Sequence, residues 1–256
     1  MSEPIVSSLA KALRVLECFT VSEPELGVTE ISKKLGIGKS NAHNIISTYC
    51  QMGYLQQLPN RKYTLGYKLL EHAFIINQHL GYPHAVYDLL LEAAERTGQV
   101  VYFGIPYETD VLYLYVAHPI ARMKELPYRE ICGEHAPLCT TGIGKAILAN
   151  LPPEEWLSRL PEIVPAHTPQ TITDKDRILQ ELPDYLDSFV APFAIDNCEH
   201  ELNVRCVGVP VYNARGALVA GISSSGAVQV MTDRKVMECA DILMGITQRI
   251  KERLYA

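Results

Sequence analysis

The 256-residue sequence lacks any long hydrophobic run, and no apolar stretch approaches the ~20 residues of a membrane-spanning helix. Residues Met1–Pro4 also lack the basic start and apolar core of a secretory signal. We therefore expect a cytoplasmic protein with no membrane partner. Charged residues make up only 20% and apolar residues 48%, a composition that argues against disorder. The length predicts two domains.

The chain has only seven cysteines, an odd number, and their scattered positions do not resemble a disulfide framework. Cys18, Cys50 and Cys239 lie in helix-like apolar patterns and are predicted to be small core residues. The other four lie in the second half of the chain and return below as possible metal ligands.

Complete motifs of two common enzyme classes are also missing. Gly142-Ile-Gly-Lys145 resembles half of a phosphate-binding loop, but Cys139 and Ala146 stand where the full motif needs a glycine and a Ser/Thr. The chain contains no G-x-S-x-G elbow, and no Ser/His/Asp set stands out. We therefore expect a protein that is not an enzyme and that needs no cofactor.

Charge is unevenly distributed along a chain whose formal net charge is −6. Residues 1–66 hold seven Lys/Arg and five Asp/Glu, a formal charge of +2, whereas residues 67–256 hold sixteen and twenty-four, a charge of −8. A mildly basic front end on an acidic body is compatible with DNA binding through one domain.

Residues 1–66 have the pattern of a winged helix-turn-helix domain. Apolar residues at three- and four-residue spacing predict an amphipathic first helix; they are Val6, Leu9, Leu13, Leu16 and Phe19. A short helix over Val28–Leu35 and a turn at Gly36-Ile-Gly38 lead to a third helix over about Lys39–Met52. Two β-prone runs, at residues 53–57 and 61–65, flank a Pro-Asn turn and predict a hairpin, the wing.

The third predicted helix carries two stripes of different chemistry. Its apolar stripe contains Ala42, Ile45, Ile46 and Tyr49. Its second stripe has hydrogen-bonding side chains and no acid, which suits a phosphate-lined major groove. The residues predicted to contact DNA are Lys39, Ser40, Asn41, His43, Asn44 and Ser47 of this helix, and Arg61 and Lys62 at the tip of the wing. A winged helix that binds another protein is the alternative at this point.

Residues 67–81 are predicted to be a linker helix, and residues 82–256 a second domain. The linker has more apolar residues than one stripe needs, so they either meet a partner subunit or cover the second domain. A two-fold dimer is expected independently, because one recognition helix reads too few base pairs for useful specificity.

The second domain mixes predicted helices and strands in the manner of an α/β domain around an antiparallel sheet, so the chain as a whole is α+β. The predicted helices are Tyr82–Thr97, Ile143–Asn150, Pro153–Leu160, Lys175–Asp187 and Met231–Leu254. The predicted strands are Val100–Ile105, Val111–Ala117, Phe189–Ile195, Val204–Tyr212 and Ala217–Ser223.

Several ordered motifs resemble the IclR family of bacterial regulators. In the front domain they are Ser8–Glu17, Ile31–Gly36 with Lys39-Ser40, Gly53-Tyr-Leu55 and Tyr63-Thr-Leu-Gly66. In the second domain they are Pro137-Leu138, Gly144–Ala149, Glu201–Cys206, Pro210-Val211 and Ile222–Gly226. The resemblance spans almost the whole chain in the family's order.

The resemblance implies a GAF/profilin-like effector domain, a homodimer or homotetramer, and a DNA operator controlled by a small organic effector, often a carboxylate or an aromatic acid. The family's effector-contacting positions fall on Gly142, Ile143, Asp196, Cys206, Ser223 and Ser225. The residues agree with that assignment, because amides at a helix start can hold a carboxylate and serines alternating on a strand share one face. The effector is then expected to change the relative placement of two DNA-binding domains through the linker.

The sequence departs from the family at two places. Asn41 and Asn44 replace a threonine and an arginine that are common in the recognition helix, so the operator of relatives should not be assumed. Cys139 replaces a histidine common just before the glycine-lysine motif, which leaves the chemistry of the pocket open.

A metal-responsive regulator is the alternative function. The thiols and imidazoles of Cys132, His135, Cys139, Cys198, His200 and Cys206 occur in one domain. Such residues could hold zinc in a tetrahedral site, although their spacings match no standard structural-zinc pattern.

Overall fold

The computed structural model describes residues 4–120, 131–185 and 192–254. The chain divides into two compact units, Met1–Leu80 and Gly81–Ala256. Within the described ranges, no helix has the length and apolarity needed to cross a membrane.

The first unit has the predicted order of a winged helix-turn-helix followed by a linker helix. Its elements are α1 (Ser7–Glu17), α2 (Val28–Leu35), α3 (Lys39–Met52), β1 (Leu55–Gln57), β2 (Tyr63–Leu65) and α4 (Lys68–Leu80). Strands β1 and β2 pair antiparallel as the wing. The turn between α2 and α3 passes through Gly36 at φ +62°, where the hydroxyl of Ser32 donates to the carbonyl of Ile37 at 2.6 Å.

The first helix forms as predicted, but only Leu16 and Phe19 of its expected apolar stripe pack inside the unit. The core of this unit takes Val15, Cys18 and Phe19 from this segment. Val6, Leu9 and Leu13 are 52%, 57% and 49% exposed. Apolar spacing predicted the helix correctly, and it could not tell a face that packs inside the unit from one that stays accessible.

The second unit is a six-stranded antiparallel sheet with helices on both faces, which confirms the predicted α+β fold. Its strands are β3 (Val100–Tyr107), β4 (Asp110–Ala117), β5 (His135–Pro137), β6 (Ala194–Asn197), β7 (Val204–Tyr212) and β8 (Leu218–Ala227), in the spatial order β5-β4-β3-β8-β7-β6. Its helices are α5 (Tyr82–Thr97), α6 (Gly142–Ala149), α7 (Lys175–Glu181) and α8 (Asp233–Arg253).

Alternation along the strands separates the two faces. Phe103 of β3 contacts Tyr82 of α5 with ring centroids 5.1 Å apart. The next residue, Gly104, lies against Ile143 of α6 on the opposite face. Helix α6 is buried along its whole length, because it is covered by the sheet on one side and by a cluster that includes Leu160, Val164, Ile178 and Leu182 on the other.

Three secondary-structure predictions in this unit differ from the structure. Pro153–Leu160 is two short 3-10 turns rather than one helix. Helix α7 ends at Glu181, and Pro183, which cannot continue an α-helical hydrogen-bond ladder, begins a 3-10 turn. Of the predicted strand Phe189–Ile195, only Ala194 and Ile195 are in a strand, and residues 189–191 lie outside the described residues, as does Asp187. The short strand β5 was not predicted at all.

Candidate DNA-binding and effector sites

Helix α3 presents a polar surface without an acid. Lys39, Ser40, Asn41, His43 and Asn44 are exposed, and Ser47 is half-buried. The opposite side of the helix is anchored by Ala42 and Ile46, which are fully buried. The helix begins after Gly38, with no side chain capping it, so its first amides remain available to an anion.

The two cations of the wing, Arg61 and Lys62, have different surroundings. Arg61 is exposed and adopts a left-handed backbone conformation at φ +63°. The ammonium of Lys62 lies 3.8 Å from a carboxylate oxygen of Glu30 on α2, with both side chains nearly half exposed. An exposed pair of this kind is weak, and a phosphate could displace the carboxylate at little cost.

In the second unit, the start of α6 lies directly on β7. A Cβ added to Gly142 would stand 3.1 Å from the Cβ of Cys206, and a Cβ added to Gly208 would stand 2.2 Å from the carbonyl oxygen of Gly142. The hydroxyl of Thr141 accepts a hydrogen bond from the amide of Gly144 at 3.1 Å. The two preceding amides, those of Gly142 and Ile143, lie in the first turn of the helix, where an amide has no acceptor within the helix.

Strand register aligns the polar residues of β7 and β8 with this helix start. Cys206 is paired with Ser225, and Gly208 with Ser223. The hydroxyl of Ser225 donates to the sulfur of Cys206 at 2.7 Å, whereas Ser223 is 2% exposed. The predicted common face of the two serines is therefore the face that carries Cys206 and meets α6.

Asp196 completes the same cluster from the neighbouring strand. It is the strand partner of Cys206 and is 1% exposed. Its side chain accepts hydrogen bonds from the amides of Glu199 at 2.7 Å and His200 at 3.4 Å. Burial nevertheless raises the pKa of this carboxyl to about 6, since the loss of hydration outweighs those two donors. Burial and the charge of Asp196 also raise the pKa of the Cys206 thiol well above its ordinary value.

The structure thus brings Gly142, Asp196, Cys206, Ser223 and Ser225 together at one end of α6. Ile143 belongs to the cluster only through its backbone. Its side chain points to the sheet, where it contacts Gly221 and Gly104.

Four residues of this region were missed by sequence reasoning. Tyr102 is the strand partner of Ser223, and its ring lies 5.7 Å from that of Tyr113 in an edge-to-face contact. Lys145 and Glu199 form a buried ion pair behind the start of α6. The alternation of β3 could have indicated Tyr102, but nothing in the sequence joins Lys145 to Glu199, which is 54 residues away.

The cysteines and histidines considered as metal ligands do not converge. Within the described parts of the chain, no three His, Cys, Asp or Glu side chains are placed to hold a metal ion. Cys132 and His135 are exposed, Cys139 is fully buried, and Cys206 is hydrogen-bonded to Ser225. The metal alternative is therefore not supported.

Comparisons with known proteins identify the same two parts of the chain. Residues 8–59 match the model of the IclR helix-turn-helix domain. Residues 80–252 match the model of the C-terminal domain of the bacterial transcriptional regulator IclR. The HTH-type transcriptional regulator XynR of Escherichia coli (strain K12) is 30% identical over 235 residues, which cover 91% of each chain.

Solved structures share the fold. The crystal structure of an IclR transcriptional regulator from Alicyclobacillus acidocaldarius has a TM-score of 0.83 and 22% identity, and the match covers 98% of this chain and 99% of the other. An IclR homolog from Microbacterium hydrocarbonoxydans, crystallised in complex with 4-hydroxybenzoate, has a TM-score of 0.80 and 20% identity over 96% of this chain and all of the other.

The two matched models cover the winged helix-turn-helix and almost the whole second domain. The relatives are transcriptional regulators rather than enzymes. The chain belongs to the IclR family of bacterial transcriptional regulators.

Proposed function

We propose that this regulator binds a DNA operator as a homo-oligomer and that a small organic acid, bound at the start of α6, controls this binding. The observation that carries the effector half is the cluster of Gly142, Asp196, Cys206, Ser223 and Ser225 around two amides in the first turn of a buried helix. A DNA-binding regulator acts at the chromosome, so the proposal places the chain in the cytoplasm.

The DNA half rests on the chemistry of α3 and the wing. The exposed side chains of α3 offer donors and acceptors without a carboxylate to repel phosphate. We propose that Asn44 and its neighbours Ser40, Asn41, His43 and Ser47 read base edges in the major groove. Lys39, Arg61 and Lys62 would contact the backbone, which strengthens binding without choosing a sequence.

The effector half rests on three kinds of donor around one point. The amides of Gly142 and Ile143 lie at the positive end of the helix dipole and suit a carboxylate. The hydroxyls of Ser223 and Ser225 can complete a polar clamp. Asp196, with a pKa of about 6, loses much of its charge in mildly acidic solution and can then donate a hydrogen bond to the acid instead of repelling it.

An aromatic acid fits the surroundings of these donors. The rings of Tyr102 and Tyr113 pack edge to face beside the polar cluster, and such rings favour a flat apolar body. The relative from Microbacterium hydrocarbonoxydans was crystallised with 4-hydroxybenzoate. We propose an effector of this chemical class, one carboxylate on a small apolar or aromatic frame.

Exposed apolar side chains in the first unit support the proposed homo-oligomer. Helix α4 buries none of its residues, and Leu70, Phe74, Ile75 and Ile76 are 55% to 67% exposed. Helix α1 adds Leu9 and Leu13, which are about half exposed. We propose that a second copy covers these two faces in a homodimer, either alone or within a homotetramer, and so pairs two recognition helices.

Control of DNA binding then requires that the effector prefer one arrangement of the paired DNA-binding units over the other. A ligand shifts such an equilibrium only by its difference in affinity for the two arrangements. We propose that α4, which joins the two units in sequence, transmits this preference.

The test is a thermal-shift screen of the full chain against small carboxylates and aromatic acids, followed by DNA binding with and without each acid that raises the melting temperature. Duplexes selected from a random library serve as the operator. We expect at least one acid to stabilise the protein and to change its affinity for the selected duplex. Ser225→Val should remove that response, whereas the exposed Ser158→Val should keep it. A flat response over the whole panel would contradict the proposal.

A further inference from the structure

A groove in the first unit takes half of its lining residues from cations and is not part of the sites described above. It measures about 370 Å³ and lies between α1 and the end of α2. Its lining residues are Lys11, Arg14, Lys34, Leu35, Gly36 and Ile37. Three of the six carry a positive charge and none carries a negative one.

Two of these cations have no counter-charge. Lys11 and Arg14 are exposed on α1 and form no ion pair with any residue that the structure describes. Lys34 is paired with Glu23 at 2.5 Å, but both side chains are substantially exposed, so the carboxylate can be exchanged for another anion. The chain as a whole has a formal charge of −6, so this group of three cations differs in sign from the net charge.

The groove ends two residues before the start of α3. Its last lining residue, Ile37, directly precedes Gly38, the residue before α3 begins. Lys39 and the uncapped first amides of α3 follow at once. The positive charge of α1 and the anion-binding end of α3 therefore lie on either side of one short turn.

We propose that this groove binds the sugar-phosphate backbone of DNA next to the major groove entered by α3, with Lys11 and Arg14 each neutralising a phosphate. The inference rests on the proposed use of α3 as the recognition helix and extends its contact with DNA to α1. DNA is favoured over an acidic protein segment because the cations adjoin the turn that starts α3, and a duplex engaged by α3 brings a row of phosphates to that turn. A backbone contact here would add affinity and fix orientation without adding sequence preference.

The test is the salt dependence of binding to a mixed-sequence duplex, measured by fluorescence anisotropy with the full chain. Each phosphate contact contributes about 0.9 to the slope of log K against log salt. The double variant K11Q/R14Q should lower that slope by about 2 for each bound DNA-binding unit and should weaken all duplexes alike. The control R215Q/R234Q removes two exposed cations from the second unit and the same net charge, and should keep the wild-type slope.

Two outcomes would overturn the groove as a DNA site. One is a K11Q/R14Q variant with the wild-type slope, which would leave the groove to another anionic ligand. The other is weaker binding at an unchanged slope with a lowered melting temperature, which would show that the two residues act on the fold. If the wild-type chain itself failed to bind duplex DNA, the role proposed for α3 would fall as well, so the two failures can be told apart.

Discussion

Lys145 of α6 and Glu199 of the loop after β6 form an ion pair almost completely removed from solvent, with side chains only 4% and 8% exposed. The ammonium also donates to the carbonyl of Ile195 at 3.4 Å, and the second carboxylate oxygen of Glu199 has no hydrogen-bond partner among the described residues. The pair connects α6, whose first turn carries the candidate effector site, to the segment that carries Asp196. Removal of either side chain would leave the other charge buried and uncompensated, because water cannot reach it to replace the partner.

We therefore predict that Lys145→Met lowers the free energy of unfolding of the second unit by about 3–5 kcal/mol, because it leaves a buried carboxylate unpaired. The double variant K145M/E199M removes both charges and should recover most of the loss. Urea unfolding followed by the fluorescence of Trp156, the only tryptophan, reports on this unit. A double variant no more stable than K145M would show that the charge imbalance is not the cause.

Gly208 allows the backbone of β7 to contact the backbone of α6. A Cβ at this position would stand 2.2 Å from the carbonyl oxygen of Gly142, and neither backbone can move without distorting the sheet or the helix. We predict that Gly208→Ala destabilises the second unit by roughly 3 kcal/mol or more. Gly245→Ala is the control, since nothing lies within 4 Å of a Cβ there, and alanine should stabilise α8 by up to about 1 kcal/mol. Equal melting temperatures for the two variants would contradict the contact.

The buried carboxyl of Asp196 should make the unfolding free energy depend on pH. Its pKa is about 6 in the folded chain against an ordinary value of 3.8, so the folded state holds the proton more tightly. The stabilisation by the protonated form is complete below pH 4 and is lost as the pH rises towards 6. The whole change corresponds to roughly 3 kcal/mol.

Asp196→Asn removes this titration. The stability of the variant relative to the wild type should increase between pH 4 and 6 and remain constant above pH 7. Trp156 fluorescence in urea at four pH values measures the difference, and the exposed Asp241→Asn serves as the control. A difference independent of pH would mean that burial does not raise the pKa of Asp196. Binding of an acid effector should also weaken as the pH rises through 6, because the ionised carboxylate repels it.

Asn44 and Lys62 should affect DNA binding in different ways. Asn44 is exposed on α3, where an amide can pair with a base edge, so Asn44→Ala should change which duplexes a random library yields. Lys62 lies on the wing near Glu30, so Lys62→Ala should weaken all duplexes alike and lower the salt slope by about 1. Selection followed by anisotropy separates the two effects. A change of preference in Lys62→Ala alone would contradict the assignment of the wing.

Much of the fold could be predicted from local patterns. The spacing of apolar residues and the glycines at the turns predicted the helices and hairpin of the first unit, with α3 matching at both ends. The period of two in the strand sequences predicted that Ser223 and Ser225 share a face. These features depend on residues close in sequence, whose chemistry is visible in a short window.

Other features depend on contacts between distant residues and were not predictable from the sequence. The stripe of Leu9 and Leu13 had the correct period for a helix, but its exposure depends on what the rest of the unit covers. The ion pair of Lys145 with Glu199 joins two segments that only the fold brings together. The six residues considered as metal ligands occur in one domain, but the fold does not bring three of them together around a metal position. The residue types alone therefore did not predict their placement.

The contact between Gly142 and Gly208 sets the dimensions of the candidate effector site as well as its stability. Main-chain atoms on both sides determine how close the start of α6 lies to β7, so exchanges of neighbouring side chains cannot change that distance. If an acid binds here as proposed, a change at Ser223, Ser225 or Tyr102 would alter the contacts with the body of the ligand and leave the position of the α6 amides unaltered. Under that proposal, substitutions at these three positions would change the preferred body of the ligand and keep the preference for an acid group.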